Sequence, residues 1–349
     1  MSNNDWKIFQ GDNRVPHEDI DRLPEPPSWR PFGADLSPGV SRRKRRGETF
    51  QTRPEEVEMV NAALYLRRPL LITGKPGTGK SSLAYAVARE LNLGEVLYWS
   101  ITTRTTLKDG LYTYDAIGRL QAAKQSEGKG GVTDDPQKVA DYITLGPLGT
   151  ALLRAQRPRV LIIDEIDKSD IDLPNDLLAI FEEGRFEIPE LVRLEKESSK
   201  TKSQSTVQVR TAYIDDDEIT RQDKKFPIEG GRITCKEFPL VFLTSNGERD
   251  FPPPFLRRCL RLTMREPDRP ELERIITAHL KECDISNADI NKLITTFINR
   301  RKKGQLATDQ LLNAIFMVTR DRPLIGNDKE TLINRLLTAL DSAEEIESK

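Results

Sequence analysis

Apolar and polar positions along this chain fall into two alternating kinds of block. Leu70–Ile72, Val96–Trp99, Val160–Ile163 and Phe238–Leu243 are short runs dominated by apolar residues. Such runs lack the in/out alternation of a half-exposed strand, so they read as strands of a parallel sheet buried on both faces. Between them, apolar residues recur at helical spacing: Val57, Val60 and Leu64, then Leu83, Val87 and Leu91, then Leu177, Leu178, Ile180 and Phe181. Thr52-Arg53-Pro54-Glu55 reads as a capping box with proline in the first turn, and Gly94 is placed to end the second helix. Strands alternating with helices predict an α/β fold with a parallel sheet.

From Pro267 onward the period is helical only. Leu272, Ile275, Ile276 and Leu280 share one face, and Ile290, Leu293, Ile294, Phe297 and Ile298 follow a capping box at Ser286–Asp289. Leu311, Leu312, Ile315 and Phe316 make a third face, and Leu332, Ile333, Leu336, Leu337 and Leu340 a fourth. This predicts a bundle of about four helices with a domain boundary near Glu266. Glu344–Lys349 should fray.

Two regions interrupt the alternation. Thr105–Leu111 can open a helix, Lys124–Lys138 is polar and reads as a loop tip, and Tyr142–Leu153 reads as a turn and then a helix. Gly184–Leu194 alternates and reads as the start of a hairpin, while Glu195–Thr206 is charged and low in complexity. Val207–Val209 and Arg232–Thr234 read as short strands of one inserted unit. Residues 1–51 read as an extension. Leu23–Phe32 is Pro-rich, and Trp6, Phe9, Trp29 and Phe32 predict docking on its own domain or on a neighbour. Ser41–Arg46, SRRKRR, reads as a nucleic-acid or localisation patch or as a solvated linker; one short basic run favours the linker.

The chemistry sits at the ends of the apolar runs. Leu70–Ser82 reads LLITGKPGTGKSS, which contains G-x-x-x-x-G-K-S/T in full at Gly74, Lys75, Pro76, Gly77, Thr78, Gly79, Lys80 and Ser81, followed by Ser82. Glycines let successive N–H groups curl around a phosphate, and the following helix points its positive end at the same anion. In that motif Lys80 reaches the β- and γ-phosphates and Ser81 gives its hydroxyl to Mg²⁺. A glycine-rich turn with a surface lysine is the plain alternative; the strand before and the helix after argue against it.

Asp164 and Glu165 end the Val160 run, at the edge where open α/β sheets bind ligands. Asp164 is placed to hold Mg²⁺ and Glu165 to take a proton from the attacking water. The plain alternative is a solvated acidic loop. Thr244-Ser245-Asn246 ends the Phe238 run; Asn246 is placed to orient water or touch the γ-phosphate, or to form a turn before Gly247. After three prolines, Arg257 and Arg258 are presented together, either as a phosphate fork for another subunit or as two exposed arginines on a short helix.

Composition narrows the classes. The net charge is −1, which does not call for a nucleic-acid or anionic-membrane partner. Mean hydropathy is −0.55 and no apolar run is long enough to cross a bilayer. The opening MSNNDWKIFQ lacks the apolar core of a secretory signal, and three widely spaced cysteines predict a reducing compartment without disulfides or zinc, so a cytoplasmic location is expected. With only His17 and His279, a histidine metal centre is not expected.

The phosphate loop, DEID after one apolar strand, TSN after the next, then FLRRC and a helical tail together resemble an AAA+ ATPase over residues 48–340. Within that superfamily the chain is most similar to the MoxR family, related to the dynein-like and McrB-like branches, by its insertions near 112–142 and 185–237 and by GPLGTALL at Gly146–Leu153. The resemblance implies a P-loop NTPase core at 52–266 and a helical lid at 267–349. It implies ATP and Mg²⁺ as cofactors, Gly74–Ser81 as Walker A, Asp164 and Glu165 as Walker B, Asn246 as sensor 1, and Arg258 as arginine finger with Arg257 as the alternative. The lid departs from the pattern: Asp309 stands near the usual sensor 2 arginine, and Arg300 or Arg301 would have to substitute. An oligomeric, commonly hexameric ring is implied. So is a protein client, often one bearing a von Willebrand A domain, and some relatives of this kind belong to antiphage loci. An ATP-controlled switch with slow hydrolysis, or a McrB-like nucleic-acid-handling ATPase, are the competing readings.

Overall fold

The computed structural model describes residues 8–9, 18–24, 26–27, 47–126, 136–198, 206–213, 225–280, 288–304, 306–319 and 327–338. Trp6, Trp29, Phe32, the basic run Ser41–Arg46, residues 127–135 and 199–205, Ser286 and Glu344–Lys349 lie outside them. The chain forms two compact units: Thr52–Gly74 with Lys80–Met264, and Met1–Gln51 with Lys75–Gly79 and Arg265–Lys349.

The α/β unit opens with the helix Pro54–Leu66. Its N-cap is Arg53 rather than Thr52, because Pro54 takes the first helical position and Glu56 becomes the residue that reaches back. Glu56 accepts the Arg53 N–H at 2.9 Å and pairs with its guanidinium. Val60 and Ala63 face inward, while Val57 is 47% exposed. β1 (Leu70–Thr73) leads into the helix Lys80–Glu90. That helix ends on left-handed Asn92 rather than on Gly94, with the Leu93 N–H returning to the Ala88 carbonyl.

β2 (Leu97–Ser100) is followed by the helix Leu107–Leu111, β3 (Tyr112–Tyr114) and the helices Ala116–Ser126 and Pro136–Ala140. Then come β4 (Ile143–Leu145), the helix Pro147–Ala151, β5 (Val160–Asp164) and the helix Asp172–Glu183. The second insertion holds β6 (Arg185–Glu187), the helix Pro189–Ser198, β7 (Thr206–Arg210), β8 (Lys225–Glu229) and β9 (Arg232–Thr234). The unit closes with β10 (Leu240–Ser245), the helix Pro253–Arg258 and β11 (Leu260–Thr263).

Five strands form one parallel sheet in the order β11-β1-β10-β5-β2. β10 is buried along its whole length, and β1 and β5 nearly so, as runs without alternation require. Because all five strands run the same way, Thr73, Ser100, Asp164, Ser245 and Thr263 finish at one edge.

Among the described residues, six further strands make a second, mixed sheet, β3-β4-β7-β8-β9-β6. It joins the two insertions, which the sequence presents as separate. Tyr112–Tyr114 and Ile143–Leu145, the second read from sequence as part of a turn, pair with each other antiparallel. Gln137 stitches the insertions together, giving its amide hydrogen to the Gln208 carbonyl at 3.0 Å and accepting the Gln208 N–H at 2.9 Å. The hairpin expected at Gly184–Leu194 is not formed. β6 pairs with distant β9, and Pro189 opens a helix that buries Leu191, Val192 and Leu194.

In GPLG, the two glycines allow the cap at Gly146 and the helix Pro147–Ala151 itself to lie against the chain at Gly110–Leu111. A Cβ on Gly149 would lie 2.0 Å from the Leu111 carbonyl oxygen, and one on Gly146 2.4 Å from that of Gly110.

Among the described residues of the other unit, the α-helices Arg269–His279, Ala288–Arg301, Thr308–Thr319 and Asn327–Leu336 pack around Leu272, Ile276, Leu293, Ile294, Phe297, Leu311 and Ile315. A reciprocal box starts the first: Asp268 accepts the Glu271 N–H at 3.0 Å and Glu271 accepts the Asp268 N–H at 2.8 Å. Among the described residues, no helix is long and apolar enough to cross a membrane.

Gly149→Ala is expected to lower the unfolding free energy by about 1–3 kcal/mol, since the added methyl meets backbone rather than a movable side chain. A denaturant titration with an unchanged midpoint would show that the Leu111 peptide can move aside.

Candidate functional site

The loop after β1 needs backbone angles that only glycine adopts freely: Gly77 has φ +75° and Gly79 has φ +91°. Both are also pressed by neighbours of the helical unit to which Lys75–Gly79 belong. A Cβ on Gly77 would lie 2.9 Å from Ala307 Cβ, and one on Gly79 would lie 2.7 Å from the Phe50 ring. Thr78 Oγ1 donates to the Lys75 carbonyl, and Lys75 pairs with Glu266 at 3.3 Å. Ser82 lies on the following helix and is half-buried.

Lys80 starts that helix and is only 9% exposed. Its ammonium donates to the Gly74 carbonyl at 2.7 Å and to Asn246 Oδ1 at 2.8 Å. Lysine only donates, so the Asn246 amide is fixed with its oxygen toward Lys80. Burial pulls the Lys80 pKa down, and Asp164, Asp167 and Glu165 oppose that shift.

Asp164 gathers three hydroxyls. Ser81 Oγ at 2.8 Å and Thr244 Oγ1 at 2.6 Å donate to Oδ1, and the Tyr98 hydroxyl donates to Oδ2 at 2.6 Å. Burial, then the bond to Asp164, pushes the Tyr98 phenol well above its ordinary pKa, so it stays a donor. Glu165 follows in the left-handed region at φ +60°, a rare conformation for a residue with a side chain. Two bonds define this turn: the Glu165 N–H to Thr244 Oγ1 at 2.9 Å and the Lys168 N–H to the Glu165 carbonyl at 2.9 Å. The Glu165 carboxylate accepts from Lys168 Nζ at 2.8 Å. Asp167, on the same turn, accepts the N–H groups of Asn246 and Glu248.

The structure thus brings together Gly74, Lys80, Ser81, Asp164 and Asn246, with Glu165 attached through Thr244. Arg257 and Arg258 stand elsewhere. They precede β11, at the opposite edge of the sheet, where Arg68 donates to the Arg257 carbonyl and Arg258 Nε pairs with Glu182 at 2.5 Å. In the helical unit, Asp309 lies in the first turn of Thr308–Thr319. Neither candidate substitute for a sensor arginine is idle: Arg300 binds Asn334 and the Leu337 carbonyl, and Arg301 binds the Pro267 carbonyl and stacks on Phe297.

Sequence reading missed Tyr98, Asp167, Lys168 and Phe50, and passed over Thr244. The second acid of DEID and the lone phenol inside an apolar strand were the available signals.

Magnesium fits this donor set. A hydroxyl and a carboxylate side by side are hard oxygen ligands, and Mg²⁺ usually takes one or two carboxylates and completes its shell with waters and phosphate oxygens. Among the described residues, no cluster of three His, Cys, Asp or Glu offers an all-protein cage instead.

A family profile for the AAA domain, dynein-related subfamily, matches residues 69–259, more than half of the chain. The chain belongs to the AAA family. No curated protein matches it. AAA domains in general bind ATP with Mg²⁺ and hydrolyse it, and they commonly form oligomeric rings. In this AAA domain the matched segment runs from just before β1 to just before β11, so it spans the whole cluster around Lys80.

Tyr98→Phe removes one of the three donors that orient Asp164. Its half-saturating Mg²⁺ concentration in nucleotide binding is expected to rise about tenfold or more, in line with other outer partners of metal ligands. An unchanged Mg²⁺ titration would mean that Ser81 and Thr244 suffice.

Proposed function

We propose that this AAA protein binds Mg-ATP at the Lys80–Asp164–Asn246 cluster and hydrolyses it within an oligomeric ring, to remodel or activate a protein partner as MoxR-like ATPases do. The observation that carries the reading is the single hydrogen-bonded cluster in which Lys80 joins Gly74 to Asn246 while Ser81 meets Asp164. Lys80 can exchange both of its acceptors for phosphate oxygens, which releases the Asn246 amide to orient a water. Ser81, and Asp164 through water, would hold Mg²⁺; bound there, the ion neutralises charge on the β- and γ-oxygens. Glu165 takes the proton from water once its carboxylate leaves Lys168.

Arg258 lies at the sheet edge remote from its own Lys80, which suits a finger offered to a neighbouring subunit. The protein client, a von Willebrand A partner and a place in antiphage defence rest on the MoxR resemblance alone. A McrB-like role rests on Ser41–Arg46, outside the described residues, and salt-dependent DNA binding lost on neutralising Arg42–Arg46 would support it.

A second reading has its own observation. The Lys168–Glu165 pair and the engaged Arg300 and Arg301 favour an ATP-controlled switch with slow turnover. Turnover per subunit against protein concentration separates the two. A steep rise supports sites completed between subunits, and negligible turnover with clear ATP binding supports the switch.

Glu165→Gln is expected to keep ATP affinity and lose turnover by about 100-fold or more. Normal turnover would remove Glu165 as the base. Arg258→Ala is expected to lose turnover by about 1,000-fold, partly restored when mixed with Glu165→Gln subunits that donate an intact arginine. No recovery in assemblies shown to mix would mean that Arg258 does not act across subunits.

A further inference from the structure

Asp167 is a carboxylate with only 4% exposure, held in the short turn Ile166–Lys168 directly after Asp164 and Glu165. Its Oδ2 accepts two backbone N–H groups, from Asn246 at 2.9 Å and from Glu248 at 3.1 Å. Its Oδ1 is buried and has no hydrogen-bond partner among the described residues. A buried carboxylate with one oxygen unpaired is costly and calls for a compensating role.

Two roles are visible in the geometry. The loop Asn246–Arg249 leaves β10 with its amides turned away from the sheet ladder, and two of them find their acceptor in Asp167. The same turn is tied a third time, since Arg249 donates to the Ser169 carbonyl at 2.8 Å. The Asp167 charge also favours the charged form of the buried Lys80 ammonium, together with Asp164 and Glu165. An asparagine could accept both N–H groups with its one oxygen, so hydrogen bonding alone does not demand the charge.

We infer that Asp167 is a positioning residue. It fixes the backbone of Asn246 to the Walker B turn, so that the Asn246 side chain and Glu165 are held in one frame around Lys80. This rests on the proposed part of Asn246 in hydrolysis, but the anchoring itself is independent of activity. The chain of contacts is short: Asp167 carboxylate to Asn246 N–H, then Asn246 Oδ1 to Lys80 Nζ at 2.8 Å. Loss of the anchor frees the loop to drift by the fraction of an ångström that a water-orienting amide cannot tolerate.

The test is amide hydrogen exchange at single-residue resolution on the full chain, alongside kcat and nucleotide affinity. In the wild type, the amides of Asn246 and Glu248 should be protected. Asp167→Asn keeps an acceptor and should keep that protection. Asp167→Ala should speed exchange at these two amides at least tenfold while β5 and β10 stay protected. It should also lower kcat tenfold or more, with nucleotide affinity within threefold. Unchanged exchange in Asp167→Ala overturns the inference. So do unprotected Asn246 and Glu248 amides in the wild type, a measurement that decides the matter even if Asp167→Ala fails to fold. Faster exchange with unchanged kcat keeps the anchor and overturns instead the part given to Asn246 in hydrolysis.

Discussion

The ammonium of Lys80 is the constraint around which the α/β unit is arranged. A lysine at 9% exposure has given up most of its water, and the loss must be met by acceptors and counter-charges. Those come from three separate strands. Gly74 follows β1, Asp164 ends β5 and Asn246 follows β10. They converge only because β10 lies between β1 and β5 and all three run parallel. Any other strand order would leave the charge short of partners, so the topology and the electrostatics specify each other.

Asp164 shows the same logic one layer out. Its oxygens receive hydroxyls from the helix after β1, from β2 and from β10. Thr244 does double service, giving its proton to Asp164 and taking one from the Glu165 backbone. That second bond spans the point where Glu165 adopts its left-handed backbone, and so where the chain turns sharply out of the sheet. The two carboxylates are adjacent in sequence yet hold different partners, three hydroxyls on Asp164 and the Lys168 ammonium on Glu165.

Much of this was readable in the residues. Apolar runs without alternation marked the buried strands, and the glycine-lysine-serine loop, the acids after Ile163 and the asparagine after Ser245 marked their tips. These are local signals, each confined to a few neighbours. What sequence could not carry was set by distant pairing. Tyr98 reaches Asp164 only because β2 lies beside β5. The second sheet exists only because Gln137 and β4 meet β7 across a long stretch of chain. Boundaries slipped where one residue pre-empted another: Pro54 moved the cap to Arg53, and Asn92 ended a helix before Gly94 could. Around Leu191–Leu194 the spacing suited either period, and Pro189 decided for helix.

β11 has a consequence for how force would travel through this molecule. It is bonded to β1 along four aligned residue pairs, Leu70–Leu260 through Thr73–Thr263, with further bonds from Leu260 to Pro69 and from Met264 to Thr73. Arg258 lies just before one end of this ribbon and Gly74 just after the other. The separation between them is therefore set by a ladder of roughly 13 Å, at about 3.3 Å per residue, and not by a loop. A ribbon of that kind neither stretches nor bends easily. Displacing Gly74 along the sheet would carry the arginine with it, as two marks on the same ruler.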